Sequence, residues 1–340
     1  MSWRPIARAD LPSWNQRLFS TDASLFQYPF WAEPFRKMHF QPRYLAYHDS
    51  ASDRAYVSVL SIGVPPFRVG LVLRGPVSLD GNGVPQEALA ELARWARWHG
   101  FAFLRFSNSS AEALQGIAAL PHARRENPFP FYCDLDEELI VEQRADDADM
   151  LGTFQPIARR EIHKAEKVGY EIRAGDSEEL FREAWPLFSR LAERKGMRYR
   201  PFASYLELLR HARPVHAVRV YVAFLKGRPV EAILIARDRH VALHVSGALD
   251  VDALGDAESP SCLVHWQAMR DCYRMGQTRY NMGTSSGAVY QFKRKFRPEV
   301  IKLPPDVTVV TNRLLFSIWR TLVLRLAVPA WPRIRRLVAR

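Results

Sequence analysis

The amino-acid sequence predicts two tandem α/β domains, each with a mixed β-sheet, and three observations support this fold class. The chain has 340 residues, of which 48% are hydrophobic, and this is more than one small core needs. Extended and helical segments follow one another in the same order in both halves of the chain. Like residues also recur with a shift of about 176 positions: Tyr44 and Tyr221, Pro85 and Pro260, Gly100 and Gly276. We therefore expect two copies of one folding unit.

In the first half, extended segments rich in Val, Leu and Tyr are separated by turn residues, which is typical of strands. These segments are residues 44–47, 55–63 and 70–73. After a turn at residues 80–83, the leucines and alanines of residues 87–98 fall on one side at helical spacing, which predicts an amphipathic helix that Gly100 ends. Residues 101–108 then predict another strand.

The second half repeats this order. Strands are predicted at residues 218–225, 230–236 and 241–249, a helix at 261–275, and a strand at 278–283. Helices can cover the faces of a mixed sheet in each half, which gives layered α/β domains. Two such domains side by side would leave a cleft, and clefts of this kind are common ligand sites.

A basic helix is predicted between the halves, with Pro156 in its first turn and Gly169 at its end. It carries five basic residues: Arg159, Arg160, His163, Lys164 and Lys167. One interpretation is a solvated face balanced by Glu161 and Glu166, and the other is a cationic wall that holds phosphates. We therefore predict four parts of the chain: residues 1–150 as a first domain, 151–170 as the linker helix, 171–305 as a second domain, and 306–340 as a basic tail.

The composition limits the classes of protein and ligand. The three cysteines, Cys133, Cys262 and Cys272, form no CxxC pair, so we expect neither a disulfide framework nor a metal site. No secretory apolar region occurs at residues 1–14, and no uncharged apolar run reaches about 18 residues, so we expect a cytoplasmic protein. The net charge of +12 favours nucleic acid, an anionic lipid surface or a phosphorylated substrate as partner, and a solvated arginine-rich surface is the alternative.

The tail after Asp306 contains seven arginines and no acidic residue. On a helix, Arg313, Arg320 and Arg325 gather on one side, and apolar side chains fill the rest. Such a helix is suited to the interface of an anionic membrane, so residues 310–340 are predicted to bind an anionic membrane surface. The alternative is a helix that packs on the second domain with its arginines pointing outward.

Three segments resemble the FemAB family of peptidoglycan-bridge aminoacyltransferases and the related GNAT-type acetyltransferase domains. They are SLFQYPFWAEPF (24–35), IARREIHKAEKVGYEIR (157–173) and RYNMGTSSGAVYQFKRKFRPE (279–299). The resemblance implies two tandem GNAT-like acyl-CoA N-acyltransferase-fold domains. It also implies transfer of an acyl or aminoacyl group from acyl-CoA or aminoacyl-tRNA, neither of them tightly bound, to an amine of a cell-envelope precursor. Two residues depart from the family pattern, because Asn281 stands where Asp is usual and Arg297 where Gly is usual.

Acyl transfer to an amine needs a positioned carbonyl, a deprotonated amine and a group that stabilises the developing oxyanion. The resemblance places Lys293 near the donor and the reacting carbonyl. Period-2 alternation in YQFKRKF predicts a short strand that separates two aromatics from two lysines: Tyr290 and Phe292, Lys293 and Lys295. The rings would stack on the nucleotide end of a donor, and the ammonium groups would meet phosphate or oxyanion. The alternative is an edge strand that its lysines keep soluble.

Other candidate residues lie in the second half. Ser259 and Ser261 begin its helix, where GNAT domains hold the pyrophosphate of coenzyme A. Four acidic residues that would repel a pyrophosphate precede this helix: Asp250, Asp252, Asp256 and Glu258. His244 is a candidate proton acceptor, beside the alternative of a core or surface histidine. Asn281 is a candidate catalytic residue because it replaces the family's Asp.

These observations predict an enzyme that moves an acyl or aminoacyl group to an amine of a phosphorylated or lipid-linked envelope precursor, with aminoacyl-tRNA as the first candidate donor. An acyl-CoA-dependent N-acyltransferase acting on an amino sugar or polysaccharide precursor is the alternative within the same fold. A non-catalytic module that binds membrane or RNA is the alternative from another class. The predicted location is the cytoplasm, with peripheral binding at the inner face of the cytoplasmic membrane.

Overall fold

Residues 2–49, 52–126, 128, 136–197, 199–284 and 287–327 are described by the computed structural model of the chain, and Cys133 lies outside them. The chain divides into two units. Unit 1 takes its residues from Met1–Trp14, Phe26–Asp136 and Leu303–Arg340, and unit 2 takes its residues from Asn15–Leu25 and Glu137–Lys302.

The strands of the described residues are, in chain order, β1 (Ser2–Pro5), β2 (Gln41–His48), β3 (Asp53–Ile62), β4 (Arg68–Leu73), β5 (Val77–Ser78), β6 (Phe101–Ser107), β7 (Ala123–Arg124), β8 (Glu137–Glu142), β9 (Glu171–Gly175), β10 (Val218–Leu225), β11 (Arg228–Arg237), β12 (Val241–Leu249), β13 (Arg279–Asn281), β14 (Glu299–Lys302) and β15 (Val307–Val310). The α-helices are α1 (Leu11–Phe19), α2 (Pro29–Ala32), α3 (Gln86–Trp98), α4 (Ala111–Ala118), α5 (Asp147–Thr153), α6 (Pro156–Val168), α7 (Glu178–Lys195), α8 (Phe202–Ala212), α9 (Ser261–Arg274), α10 (Gly287–Arg294) and α11 (Arg313–Trp319). Short 3₁₀ turns lie at Arg8–Asp10, Leu25–Gln27, Glu33–Met38 and Arg213–Val215, and a π-helical segment, Arg320–Ala327, follows α11.

The two sheets have the same strand order. The sheet of unit 1 runs β1-β2-β3-β4-β6-β15-β7, with β5 on β3, and the sheet of unit 2 runs β9-β10-β11-β12-β13-β8-β14. Each sheet is antiparallel except for one pair at the same place in the order, β4 with β6 and β12 with β13. The prediction of two copies of one mixed α/β unit is therefore confirmed at the level of strand order and direction.

Each sheet contains one strand that is separated in sequence from the other strands around it. β15 comes late in the chain and lies between β6 and β7 of unit 1. β8 comes before the second repeat and lies between β13 and β14 of unit 2. The two repeats therefore exchange equivalent strands.

In unit 1, α3 and α4 cover one face of the sheet. Leu89, Leu92 and Ile117 are buried there against Val57 and Leu104. α3 begins after Pro85, and the glycine that follows it, Gly100, has a φ of 72°, which a residue with a side chain rarely adopts. α9 repeats this arrangement in unit 2 with Pro260 before it and Gly276, at a φ of 99°, after it.

In unit 2, the predicted linker helix is α6, and it packs in the core rather than standing apart. Pro156 lies in its first turn and Gly169 caps its end with a φ of 78°, so both predicted boundaries are confirmed. Ala158, Ile162 and Ala165 are fully buried in the same cluster as α9. The basic side chains of α6 occupy the opposite, exposed side, as its amphipathic pattern requires.

The predicted short strand at YQFKRKF is wrong, because α10 (Gly287–Arg294) contains Tyr290, Phe292 and Lys293. The ring centroids of Phe292, in α10, and Phe296, just after this helix, lie 5.6 Å apart. A seven-residue pattern of alternating polarity is short enough to fit either period, and here packing against the core decides in favour of the helix.

The start of the predicted tail packs on unit 1, not on the second domain as one interpretation proposed. The rings of Phe316 and Trp319 of α11 pack edge-on against the ring of Phe103, with centroid distances of 5.6 and 5.7 Å. Leu315 is buried beside them. Residues 328–340 lie outside the described part of the chain. No helix within the described residues has the length and apolar character needed to cross a membrane.

Candidate active site

The parallel strands of unit 2 separate after a short contact. β12 and β13 pair only from Val241 to Leu243, while β12 continues to Leu249. In unit 1 the corresponding strand β4 pairs with β6 along its whole length, from Arg68 to Leu73. The end of pairing in unit 2, which we call the fork, therefore has no counterpart in unit 1. A bulge in β12 between His244 and Ser246 lies at the same level.

Lys293 reaches the fork from α10. Its side chain is 6% exposed, and its Nζ donates hydrogen bonds to the backbone oxygens of Met282 and Thr284, the latter at 3.2 Å. An ammonium has three hydrogens, so one remains without a partner among the described residues. Burial lowers the pKa of Lys293 to about 8, because a low-dielectric surrounding disfavours the charged form.

Two histidines lie beside Lys293. The rings of His244 and His265 meet edge to face at 4.8 Å, and His265 Nδ1 lies 2.9 Å from the hydroxyl of Tyr280. Burial, with the charge of Lys293 as a smaller cause, lowers the pKa of both imidazoles far below the usual range. Both rings are therefore neutral at neutral pH. Because a base with so low a pKa holds a proton poorly, this environment favours His244 as a hydrogen-bonding group over a proton acceptor.

His244 Nε2 is buried without a hydrogen-bond partner in the described part of the chain. Asn281, in contrast, is engaged, since its side-chain oxygen accepts a 2.7 Å hydrogen bond from the backbone N–H of Gly283. Asn281 thereby shapes the turn that leads the chain away from β13. The ring centroids of Phe292 and His265 lie 5.5 Å apart. Tyr290 is half-buried, and its hydroxyl accepts a 3.5 Å hydrogen bond from Nη1 of Arg294.

Lys295 has a different environment from Lys293. Its ammonium bonds both carboxylate oxygens of Glu161 on α6, at 2.6 and 2.8 Å. The Cys262 thiol donates to the same carboxylate at 3.0 Å. Lys295, the residue after α10, therefore links this segment to α6, and Glu161 in turn links α6 to α9. Burial raises the pKa of Cys262 well above its usual range, which leaves this thiol in its unreactive protonated form.

Glu231 on β11 is a buried carboxyl group that the sequence analysis missed. It is 5% exposed, and its Oε2 has no hydrogen-bond partner in the described chain. Burial raises its pKa to about 8, and a hydrogen bond with Ser261 acts in the opposite direction. One acid within the apolar run VEAILIA was the signal in the sequence, because an interior acid is rare without a partner.

Most of the acidic loop before α9 is neutralised by basic residues of α6 and α7. Asp250 lies 3.0 Å from Arg190, Asp252 lies 3.9 Å from Arg194, and Glu258 lies 3.3 Å from Lys164. Asp256 has no ion pair in the described part of the chain. The predicted repulsion of a pyrophosphate is therefore weaker than the sequence implied.

The other predicted binding residues lie near α9 or on the exposed side of α6. The hydroxyl of Ser259 accepts a 3.3 Å hydrogen bond from the N–H of Ser261, the first residue of α9. Arg159 bonds the backbone oxygen of Gly152, whereas Arg160 and Lys167 make no ion pair in the described part of the chain.

A sequence model of the acetyltransferase (GNAT) domain matches residues 156–294, from the start of α6 to the end of α10. The chain has the tandem GNAT fold. The crystal structure of FemX is similar over 94% of this chain and 99% of that chain, with a TM-score of 0.77 and 14% identity. The C-terminal domain of a putative lysylphosphatidylglycerol synthetase from Agrobacterium fabrum is similar over 92% and 95%, with a TM-score of 0.60 and 14% identity.

A tandem GNAT protein from the clavulanic acid biosynthesis pathway is also similar, over 92% of this chain and 98% of that chain, with a TM-score of 0.52 and 11% identity. No curated protein matches the sequence. The resemblance to FemAB-type proteins is thus confirmed for the tandem GNAT fold. Since the matched GNAT domain contains Lys293, His244 and Glu231, acyl transfer is the class of reaction that these similarities support.

Proposed function

We propose that the protein transfers an acyl or aminoacyl group to an amine of a cell-envelope precursor, and that the reaction takes place at the fork of unit 2. The observation that carries this proposal is the position of Lys293, whose buried ammonium keeps one hydrogen without a partner among the described residues where β12 and β13 separate. A buried cation with an unused hydrogen is suited to stabilise negative charge that develops on a reacting carbonyl oxygen.

In the proposed reaction the amine nitrogen attacks the acyl carbonyl carbon, and the carbonyl oxygen becomes an oxyanion that Lys293 stabilises. The bond to the leaving group then breaks, and that group departs with the proton that the amine loses. No covalent bond to the protein is needed. The neutral imidazole of His244, with its unpartnered Nε2, is suited to orient the amine or the leaving group by a hydrogen bond.

Aminoacyl-tRNA is our first candidate for the donor. The exposed cations Arg160 and Lys167 on α6 would attract its phosphates. Acyl-CoA, with an amino sugar or polysaccharide precursor as acceptor, is the second candidate. It is favoured by the GNAT domain match and by the ion pairs that neutralise the loop before α9.

For the acceptor we propose a phosphorylated or lipid-linked envelope precursor at the inner face of the cytoplasmic membrane, with residues 310–340 on the anionic lipid surface. The absence of acidic residues after Asp306 supports this placement. A non-catalytic module that binds membrane or RNA is the rival from another class, and Asn281 in place of Asp is the feature that favours it.

Turnover by the purified protein tests the proposal. The protein would be incubated with a panel of aminoacyl-tRNAs or acyl-CoAs and with amine acceptors, and the transferred mass would be measured by mass spectrometry. Transfer that needs Lys293 supports the proposal and identifies the donor. Tight binding of tRNA or lipid with no transfer from any donor would favour the non-catalytic rival.

A further inference from the structure

Three chain segments meet at one end of unit 1. The turn at residues 63–67 between β3 and β4 lies beside the connection from α3 to β6, because the N–H of Arg68 donates to the oxygen of Gly100 at 3.2 Å. A Cβ atom on Gly100 would lie only 2.9 Å from the Cβ of Pro65. β2 begins at the same end, since Gln41 pairs with Ser61 near the end of β3.

This end exposes three large apolar side chains, which we call the apolar patch. Trp98 is 83% exposed, Val64 is 69% exposed and Phe67 is 43% exposed. Single apolar residues on a surface are ordinary, but a group that includes Trp and Phe is typical of a surface that binds a partner. Trp in particular is enriched at the interface between membrane and water.

The charge around the apolar patch is positive. Residues 34–48, 54–79 and 92–111, which contain the meeting segments, include no Asp or Glu. The arginines nearest in sequence to the points where these segments meet are Arg43, Arg68, Arg94 and Arg97. Arg94 pairs with Glu91 at 3.0 Å, while Arg97 is exposed and makes no ion pair in the described chain. This charge is complementary to an anionic surface and disfavours a second copy of the same end.

A cavity of about 220 Å³ opens at the same end, and Arg43, Arg36, Pro42, Trp95 and His99 line it. Arg36 is held by Glu33 at 2.9 Å. Arg43 has no acidic partner in the described chain, and its Nε is buried without a hydrogen bond. Burial, then the charges of Arg68 and Arg36, lower the pKa of Arg43. An anion in this cavity would offset the repulsion among the three guanidinium groups.

We propose that this end of unit 1 docks on an anionic phospholipid surface, with the apolar patch in the interfacial layer and a lipid phosphate in the Arg43 cavity. The proposal goes beyond the transfer reaction and does not depend on it. It involves the same kind of lipid surface as the proposal for residues 310–340, but it rests on other residues, so its test leaves those residues in place.

Flotation of the full chain with phosphatidylcholine vesicles, with and without phosphatidylglycerol, tests the docking surface. We expect binding only to the vesicles that contain phosphatidylglycerol. Replacing both Trp98 and Phe67 by Ser should weaken that binding by about tenfold or more, because the patch loses most of its apolar area. The matched control replaces Val300 and Ile301 of unit 2, which are 38% and 37% exposed, by Ser and should bind as the wild type does.

The anion cavity is tested separately. Arg43→Gln should weaken binding to the anionic vesicles, whereas Arg228→Gln, at an exposed site of unit 2, should not. On the unmodified protein, soluble glycerol phosphate should compete with the vesicles, and this measurement does not depend on how well a variant folds. Transfer to a soluble amine should be unchanged in the patch variant, which separates this proposal from the proposed function.

Three results would overturn the proposal. Equal binding of anionic vesicles by the wild type, the variant with Trp98 and Phe67 replaced by Ser, and Arg43→Gln would exclude this end of unit 1 as the docking surface. A patch variant that changes from dimer to monomer with unchanged vesicle binding would make the patch a self-association surface. Stabilisation by inorganic phosphate that needs Arg43, without any vesicle binding, would make the cavity a site for a soluble anion.

Discussion

The Nζ atom of Lys293 donates a hydrogen bond to the backbone oxygen of Met282, the first residue after β13. Pairing between β12 and β13 ends at Asn281, one residue earlier. Lys293 therefore holds the chain at the point where the two strands separate, and its remaining hydrogen has no partner there among the described residues. A structural role and a catalytic role for this ammonium have different consequences for turnover.

Lys293→Met keeps the length and the apolar stem of the side chain but removes the ammonium. If Lys293 stabilises the oxyanion, turnover at saturating donor should fall by roughly a hundredfold or more. If it only attracts phosphate, the loss should appear as weaker donor binding with turnover preserved at saturation. Steady-state kinetics with thermal melting of the variant distinguish these outcomes from a loss of structure.

Lys295→Met is the matched control, because Lys295 lies two residues away but is bound to Glu161 at 2.6 Å. It should reduce stability modestly by breaking a half-buried ion pair, and it should leave turnover nearly unchanged. Equal and small effects of the two substitutions on turnover would leave the fork without a catalytic lysine.

The pH dependence of turnover follows from the pKa of Lys293, which burial lowers to about 8. The ammonium donates to the oxyanion only while it is protonated, so turnover should fall as the pH rises through about 8. Lys293→Arg keeps its charge at high pH and should move that fall to higher pH, even if its lower turnover reflects a poorer fit. Turnover that instead rises through this pKa would indicate that the neutral amine acts as a base.

Glu231→Gln should change how stability depends on pH. The folded-state pKa of Glu231 is raised from 4.5 to about 8, so between these values the folded protein binds a proton that the unfolded chain releases. Stability from this group is therefore present below 4.5 and is lost as the pH rises to about 8. The resulting loss of unfolding free energy is at most on the order of 5 kcal/mol for a fully buried group.

Chemical denaturation at several pH values tests this prediction. The unfolding free energy of Glu231→Gln should exceed that of the wild type by an amount that grows across this range and is constant above it. Glu142→Gln, at an exposed position, should follow the wild-type curve. Parallel curves for all three proteins would mean that Glu231 is solvated or paired in solution.

The main repeats could be predicted from the sequence because they depend on local patterns. The helix at α3 and the boundaries of α6 follow from periodicity, Pro156 and Gly169, which act within one turn of the chain. The pairing of β15 with β6, and of β8 with β13, could not be predicted, since it joins segments that are far apart in sequence. No residue pattern within β15 indicates which strands it pairs with.

The candidate site was predicted only where a resemblance supplied it. The family resemblance singled out Lys293, and its catalytic role stays a prediction. Its predicted strand is a helix, and its hydrogen bonds to the backbone oxygens of Met282 and Thr284 depend on the separation of β12 and β13. Glu231 was missed because its burial depends on α9 packing over β11, which no local pattern reveals. Tertiary packing likewise brings Glu161 to Lys295, so two lysines that looked alike in sequence have different environments.

Binding of acetyl-CoA tests the order of the two donor candidates. The loop before α9 lacks the glycine-rich pattern that cradles a pyrophosphate, so we expect no saturable binding tighter than tens of micromolar, a threshold of about 6 kcal/mol. Isothermal calorimetry measures this directly. Tighter binding would make acyl-CoA the first candidate, and it would agree with the ion pairs that Lys164 and Arg190 make with that loop.

Two truncations separate the structural and surface roles of the C-terminal residues. A chain that ends after Val310 loses Leu315, Phe316 and Trp319, which pack against the sheet of unit 1, and its melting temperature should fall because a core cluster is opened.

A chain that ends after Trp319 keeps these contacts and should melt as the full chain does. It loses six arginines, each worth about 1 kcal/mol near an anionic surface, so its flotation with phosphatidylglycerol vesicles should weaken by roughly tenfold or more. Vesicle binding that is unchanged in this second truncation would exclude residues 320–340 as a membrane-binding element, and loss of cooperative melting would show that they belong to the fold of unit 1.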